Sequence, residues 1–178
     1  MKLSALQLAR YQYNPKLPGM LRGGIAEICM TDGGATSSVA DQEKIAALFP
    51  NTYGKPEIIF SKGQNTAEAK KQVVGVILSG GQAPGGHNVV CGLYDALKAT
   101  NKENELYGFL GGPSGLIEDK YIVFDDEYIN QYRNTGGFDI IGSGRTKLET
   151  EAQFAIVVEN CKKNGVNAIV IIGGDDFA

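Results

Sequence analysis

Val73-Val74-Gly75-Val76-Ile77-Leu78-Ser79-Gly80-Gly81-Gln82-Ala83-Pro84-Gly85-Gly86-His87-Asn88 decides the fold. Its first six residues form a short continuous apolar run, as a strand buried on both faces does. A turn of small residues follows, and Pro84 reads as a first-turn proline of the next helix. In that helix Val90, Leu93, Tyr94 and Leu97 recur at i, i+3, i+4 and i+7, one apolar stripe. Working outward, Leu106 to Leu110 predicts a second strand, Tyr121 to Phe124 a short third, and Phe138 to Ile141 a further one. Thr150 with Gln153 three residues on is a capping box. Phe154, Val157, Val158 and Cys161 then make a second buried stripe, which Asn164-Gly165 ends. Ala168 to Ile172 is the last strand. Strand and helix in alternation predict an α/β fold: a three-layer, mostly parallel, Rossmann-like sheet with helices on both faces.

Residues 1–70 read differently. Tyr13 to Gly19 holds two prolines and is extended. Asp41 to Leu48 predicts one short helix, with Ser37 or Ser38 as cap and Ile45 and Leu48 facing inward. Tyr11, Tyr13 and Tyr53 are expected to be packing contacts. The apolar content is too sparse for a separate core, so 1–70 is expected to be an N-terminal extension packed on the domain formed by 71–178.

Composition narrows the function. Charged residues make up 21% and the net charge is -3, which leaves no basic footprint for nucleic acid. No apolar run is long enough to span a bilayer, and the first residues lack a secretory signal, so no membrane is expected and the cytoplasm is the default. Three scattered cysteines and one histidine support neither a disulfide framework nor a zinc site. Glycine is the unusual residue: 24 occur, several as doublets just after apolar runs. Tight strand-to-helix turns and close backbone approach to a ligand both ask for glycine there.

Three turns could carry chemistry. Ser79 to Asn88 leaves successive backbone N–H groups uncovered where a helix begins, which suits phosphate or pyrophosphate. It lacks the glycine and lysine spacing of dinucleotide and P-loop motifs, and a tight turn without ligand is the competing reading. Gly142-Ser143-Gly144-Arg145-Thr146-Lys147 fits a phosphate clamp, with Arg145 as a planar fork and Lys147 as a point charge. A solvated turn is the alternative, and for this segment alone the simpler one. Gly173-Gly174-Asp175-Asp176 places two carboxylates after a strand, where a divalent cation would relieve their repulsion; helix capping would explain one of them. His87 invites a catalytic role, but a surface or packing role is the simpler expectation. Cys91 and Cys161 lie on apolar stripes and read as core.

Taken together, Leu78 to Asn88, Gly108 to Gly115, Gly142 to Thr150 and Gly173 to Asp176 resemble the phosphofructokinase family, in particular its long-chain, pyrophosphate-dependent branch. Tyr13 to Pro18, Val39 to Glu43 and Phe49 to Pro56 are similar to that branch as well. The resemblance implies phosphoryl transfer from pyrophosphate to the 1-hydroxyl of fructose 6-phosphate, with magnesium (Mg2+) as cofactor and a homo-oligomer in the complete enzyme. Position by position it implies diphosphate contacts from the Gly81 N–H and Arg145, magnesium held by Asp175, and donor discrimination against ATP by Asp176. An ATP-dependent phosphofructokinase, a non-catalytic phosphate-binding fragment or subunit, and a plain nucleotide-binding domain are the alternatives.

Two departures from the family pattern stand out. Phe177 and Ala178 follow Asp176 where the family has Ser or Thr and then Asn. The family's Thr-Ile-Asp segment, which carries the general base, does not occur in the 178 residues, nor do the later sugar-phosphate contacts. The expectation is therefore a domain incomplete at its C-terminal end and inactive alone.

Overall fold

A computed structural model describes residues 4–24, 27–64 and 70–173. The chain divides into two units, one holding residues 1–14 and 69–178, the other 15–68. The smaller unit is a two-stranded antiparallel hairpin, β1 (Ile28–Ala35) and β2 (Pro56–Lys62), with helix α2 (Gln42–Leu48) between the strands. Here α2 starts at Asp41 rather than at a capping serine, and Leu48 is exposed rather than inward. Seven residues are too few to turn one full stripe inward, and only Ile45 and Ala46 are partly covered.

In the larger unit, α1 (Ala5–Gln12) opens on a capping box between Ser4 and Gln7. Asn134 Nδ2 donates to the carbonyls of Arg10 and Tyr13, both at 3.0 Å, and so ties α1 to the α/β core of its unit. Tyr11 and Tyr13 are nevertheless exposed, against expectation; the backbone carbonyls make the attachment.

That core is a five-stranded sheet centred on β3 (Val73–Ser79). β3 runs parallel to β4 (Glu105–Phe109), to β7 (Ala168–Ile172) and to the two-residue β6 (Ser143–Gly144), while β5 (Tyr121–Val123) pairs antiparallel with β4. Every residue of β3 is buried, as its unbroken apolar run requires. Alternation along the strand sorts the two faces. Val74, Val76 and Leu78 join Val90, Cys91 and Tyr94 of α3 (Gly86–Thr100) and Ile129 of α5 (Asp126–Tyr132). Ile77, on the other face, joins Leu116 of α4 (Pro113–Glu118) and Val157 of α6 (Glu151–Lys163). Helices on both faces of a mostly parallel sheet make the three layers expected from sequence.

Three local expectations are corrected. Phe138 to Ile141 is irregular rather than a strand; the N–H groups of Asp139 and Ile140 bond to a side chain, His87 Nε2, at 2.9 and 3.0 Å. Pro84 stands ahead of the α3 N-cap, Gly85, instead of inside the first turn. On α6 only Val157 is buried, while Phe154 and Val158 are about half exposed at 50% and 49%. The capping box is present, with Gln153 N–H donating to Thr150 Oγ1 at 3.2 Å and Thr150 N–H to Gln153 Oε1 at 3.0 Å.

Candidate functional site

The carboxyl ends of β3, β4 and β6 carry the glycine turns, and the turns are stitched together through their backbones. Gly80 N–H donates to the Gly144 carbonyl, and Gly111 N–H to the Ile141 carbonyl, each at 2.9 Å. Gly112 is wedged where a Cβ would lie 2.7 Å from Gly144 N and 2.8 Å from the Leu78 carbonyl oxygen, and its φ is +75°. No side chain fits there, because backbone on two sides cannot retreat. The Gly108 to Gly115 segment is thus the spacer that holds the other two turns in register. Sequence pointed to it only through the resemblance; the doublet Gly111-Gly112 after an apolar run was the available signal.

This stitching brings two of the expected residues together. A Cβ built on Gly81 would lie 3.5 Å from Arg145 Nη2, so the guanidinium sits over the bare Gly81 backbone. Both residues are exposed. Among the described residues, nothing accepts a hydrogen bond from the Gly81 N–H, and Arg145 makes no hydrogen bond or ion pair. A backbone donor and a five-donor cation, side by side and unspent, form an anion-binding arrangement. Lys147 is exposed two residues further on, again without an ion pair among the described residues.

The helix terminus contributes less than expected. The N–H groups of Gly85 and His87 donate to the Gly136 and Gly137 carbonyls at 2.7 and 2.9 Å, so those two donors of the α3 start are occupied. His87 itself is 3% exposed and bonded to the 135–140 segment, in keeping with a packing role. Burial pushes the Cys91 and Cys161 thiols up, which leaves both protonated and unreactive.

Beside Arg145 opens a cavity of about 650 Å³, lined by Ser79, Gly80, Arg145, Thr146 and Lys147 on one side and by Phe154, Ile169 and Ile171 on the other. The polar lining includes Arg145 and Lys147; the apolar lining comes from the exposed flank of α6 and β7. Register places Ile172 beside Leu78, so the chain reaches Gly173 at the same sheet end as Ser79 and Gly144. Asp175 and Asp176 lie outside the described residues. Among the described residues no group of His, Cys, Asp or Glu could hold a metal ion, and no helix is long and apolar enough to cross a membrane.

Comparison with known proteins bears on this geometry. The chain is 54% identical over 176 residues to a pyrophosphate–fructose 6-phosphate 1-phosphotransferase of Porphyromonas gingivalis, covering 99% of this chain and 32% of that protein. It is 44% identical to subunit beta 1 of the enzyme of that name in Arabidopsis thaliana, covering 97% of this chain and 30% of that one. The chain therefore spans about a third of the length of these curated relatives. Among solved structures, a pyrophosphate-dependent phosphofructokinase from Marinobacter aquaeolei aligns with a TM-score of 0.49 and 20% identity, over 59% of this chain and 26% of that one. The family described as Phosphofructokinase matches residues 73–177, which take in every strand of the sheet and each glycine turn at its carboxyl end. With more than half of its length inside that match, the chain belongs to the phosphofructokinase family.

Proposed function

We propose that residues 71–178 bind the phosphoryl donor in an enzyme that moves a phosphoryl group from pyrophosphate to the 1-hydroxyl of fructose 6-phosphate. The observation that carries this reading is the Arg145 guanidinium over the Gly81 N–H, both without a hydrogen-bond partner among the described residues. The names and identity of the relatives support it. In phosphoryl transfer the protein needs mainly to position the donor and neutralise developing charge. Gly81 and Arg145 do both: the N–H fixes one oxygen, and the planar fork takes two without steric competition from a Cβ. Asp175 is assigned to magnesium, which would screen the repulsion between the phosphoryl oxygens. Asp176 is assigned to donor choice, since a carboxylate there would repel the extra phosphate of ATP. A cytoplasmic location and a homo-oligomeric complete enzyme belong to the same proposal; the subunit designation of the plant relative supports assembly, without saying that the subunits are identical.

The test is a calorimetric titration of the 178-residue chain with pyrophosphate in magnesium, against ATP and fructose 6-phosphate as comparison ligands. Saturable binding of pyrophosphate, strongly weakened by Arg145→Ala and exceeding that of ATP, is expected. ATP binding as tightly would replace the pyrophosphate reading with the ATP-dependent one. No binding of either would remove the donor-site assignment.

A further inference from the structure

We propose that His87 is a positioning residue for the donor site: its unprotonated ring sets the 135–141 segment and, through it, the Gly142 to Arg145 turn. The proposal rests on the donor-site reading above. His87 is the only histidine of the chain and is 3% exposed. Its Nε2 accepts the N–H groups of Asp139 and Ile140 at 2.9 and 3.0 Å. Its Nδ1 meets Thr135 Oγ1, whose own hydroxyl donates to the Tyr132 carbonyl. A nitrogen that accepts two N–H groups carries no proton, so Nδ1 bears it and donates to Thr135. The ring is further held edge-on to Tyr132, with centroids 4.9 Å apart. Gly137 leaves space for it, since a Cβ there would come within 2.5 Å of His87 Cε1.

From this ring backbone bonds follow the segment as far as Gly144, the residue before Arg145. The Asp139 carbonyl accepts from Gly142 N–H at 3.2 Å, the Ile141 carbonyl from Gly111 N–H at 2.9 Å, and the Gly144 carbonyl from Gly80 N–H at 2.9 Å. The Ile140 carbonyl takes the Tyr128 hydroxyl at 2.9 Å. These bonds are made by backbone that forms no strand at 138–141, so the histidine does for this stretch what a sheet partner does elsewhere.

The same nitrogen has a competing partner. The Asp139 carboxylate, 76% exposed on its side chain, lies 2.8 Å from Nε2. Nε2 can accept from the two N–H groups or donate to this carboxylate, but not both. Among the described residues Asp139 is the one charged group bearing on the ring's ionisation, and the Tyr132 ring packs edge-on against it. Burial outweighs Asp139 and holds the imidazole below its usual value, so the neutral form prevails near pH 7. Protonation would turn Nε2 toward Asp139 and release the two N–H groups, loosening the approach to Arg145.

The experiment uses the 178-residue chain with His87→Gln, whose amide oxygen can accept both N–H groups, and His87→Leu, which cannot. Without ligand, amide exchange at Asp139 and Ile140 should accelerate by about tenfold in the leucine variant, as loss of one hydrogen bond predicts. Amide resonances of Ser143, Gly144 and Arg145 should shift with it, and glutamine should restore both. Pyrophosphate affinity should fall about tenfold with leucine and recover to within about threefold with glutamine. On acidification from about pH 7.5 to 5, wild-type affinity should fall more than that of His87→Gln, pyrophosphate's own protonation being common to both. Faster exchange at 139 and 140 with unmoved resonances at 143–145 would overturn the proposal and leave His87 a packing residue. Failure of the wild type to bind pyrophosphate would sink the donor-site reading, whereas the ligand-free resonances decide the positioning role on their own. Should the leucine variant not fold, the nitrogen shifts of the single wild-type histidine decide: a proton on Nε2 at neutral pH refutes the proposal.

Discussion

β3 with α3, and β7 with α6, are two strand–helix pairs read from sequence by the same signals, yet they end in opposite surroundings. Val76 and Leu78 of β3 and Val90 of α3 are fully buried, each at 0% exposure. Ile171 of β7 and Phe154 and Val158 of α6 are about half exposed. Apolar periodicity measures what a segment offers to a core, and position in the sheet measures what it receives. β3 has strands to both sides and helices on both faces, whereas β7 has a described neighbour only in β3. The well-covered pair acts as a scaffold, and the open pair flanks the exposed turn around Arg145 that begins at β6.

The largest effect that could break this contrast is a core truncation. Leu78→Ala should cost about 4 kcal/mol of stability, whereas Ile171→Ala, with similar chemistry, should cost less than about 1 kcal/mol. Urea midpoints for both variants test it, and equal losses would mean that β7 is covered in solution. Next comes Gly112→Ala, expected to cost about 3 kcal/mol through a clash with backbone at 2.7 Å and a positive φ. Gly81→Ala, with only an ordinary 3.5 Å contact to Arg145, should cost less than about 1 kcal/mol. If the two substitutions proved equally mild in thermal melts, the spacer role of Gly112 would be wrong.

A third effect separates function from stability on the open side. Arg145→Ala should weaken pyrophosphate binding by about 2 kcal/mol, roughly thirtyfold, and leave the melting temperature almost unmoved. An exposed guanidinium with no ion pair among the described residues has little else to lose, so a large stability change would show that it is structural. The smallest effect is pH-dependent and belongs to the covered side. Burial holds the His87 imidazole below its ordinary value of 6.5, which the unfolded chain keeps. Between the two values the unfolded state binds the extra proton, so stability rises with pH there. The contribution is complete above about 6.5 and is lost as pH falls toward the folded value. His87→Gln should flatten that slope in denaturant titrations over this range; an unchanged slope would place the titration elsewhere.

Much of this was legible from residue order. The buried run of β3, the α3 stripe and the Thr150–Gln153 box are local patterns, because burial on both faces, a 3.6-residue period and a capping bond each need only neighbouring residues. The glycine turns and Arg145 were legible as candidates for the same reason: small residues after a strand announce backbone that something must approach. Three matters were settled only in three dimensions. One is that Phe154 and Val158 stay uncovered, since an apolar stripe does not specify its partner. Another is that Phe138 to Ile141 gives its N–H groups to His87, a side chain some fifty residues away, instead of to a strand. The last is that Gly81 and Arg145, 64 positions apart in the numbering, meet because Gly112 lets three turns close backbone to backbone. Sequence alone determined which segments could be strand, helix or bare turn, for these depend on near neighbours; which turns touch depended on the sheet that carries them to one edge.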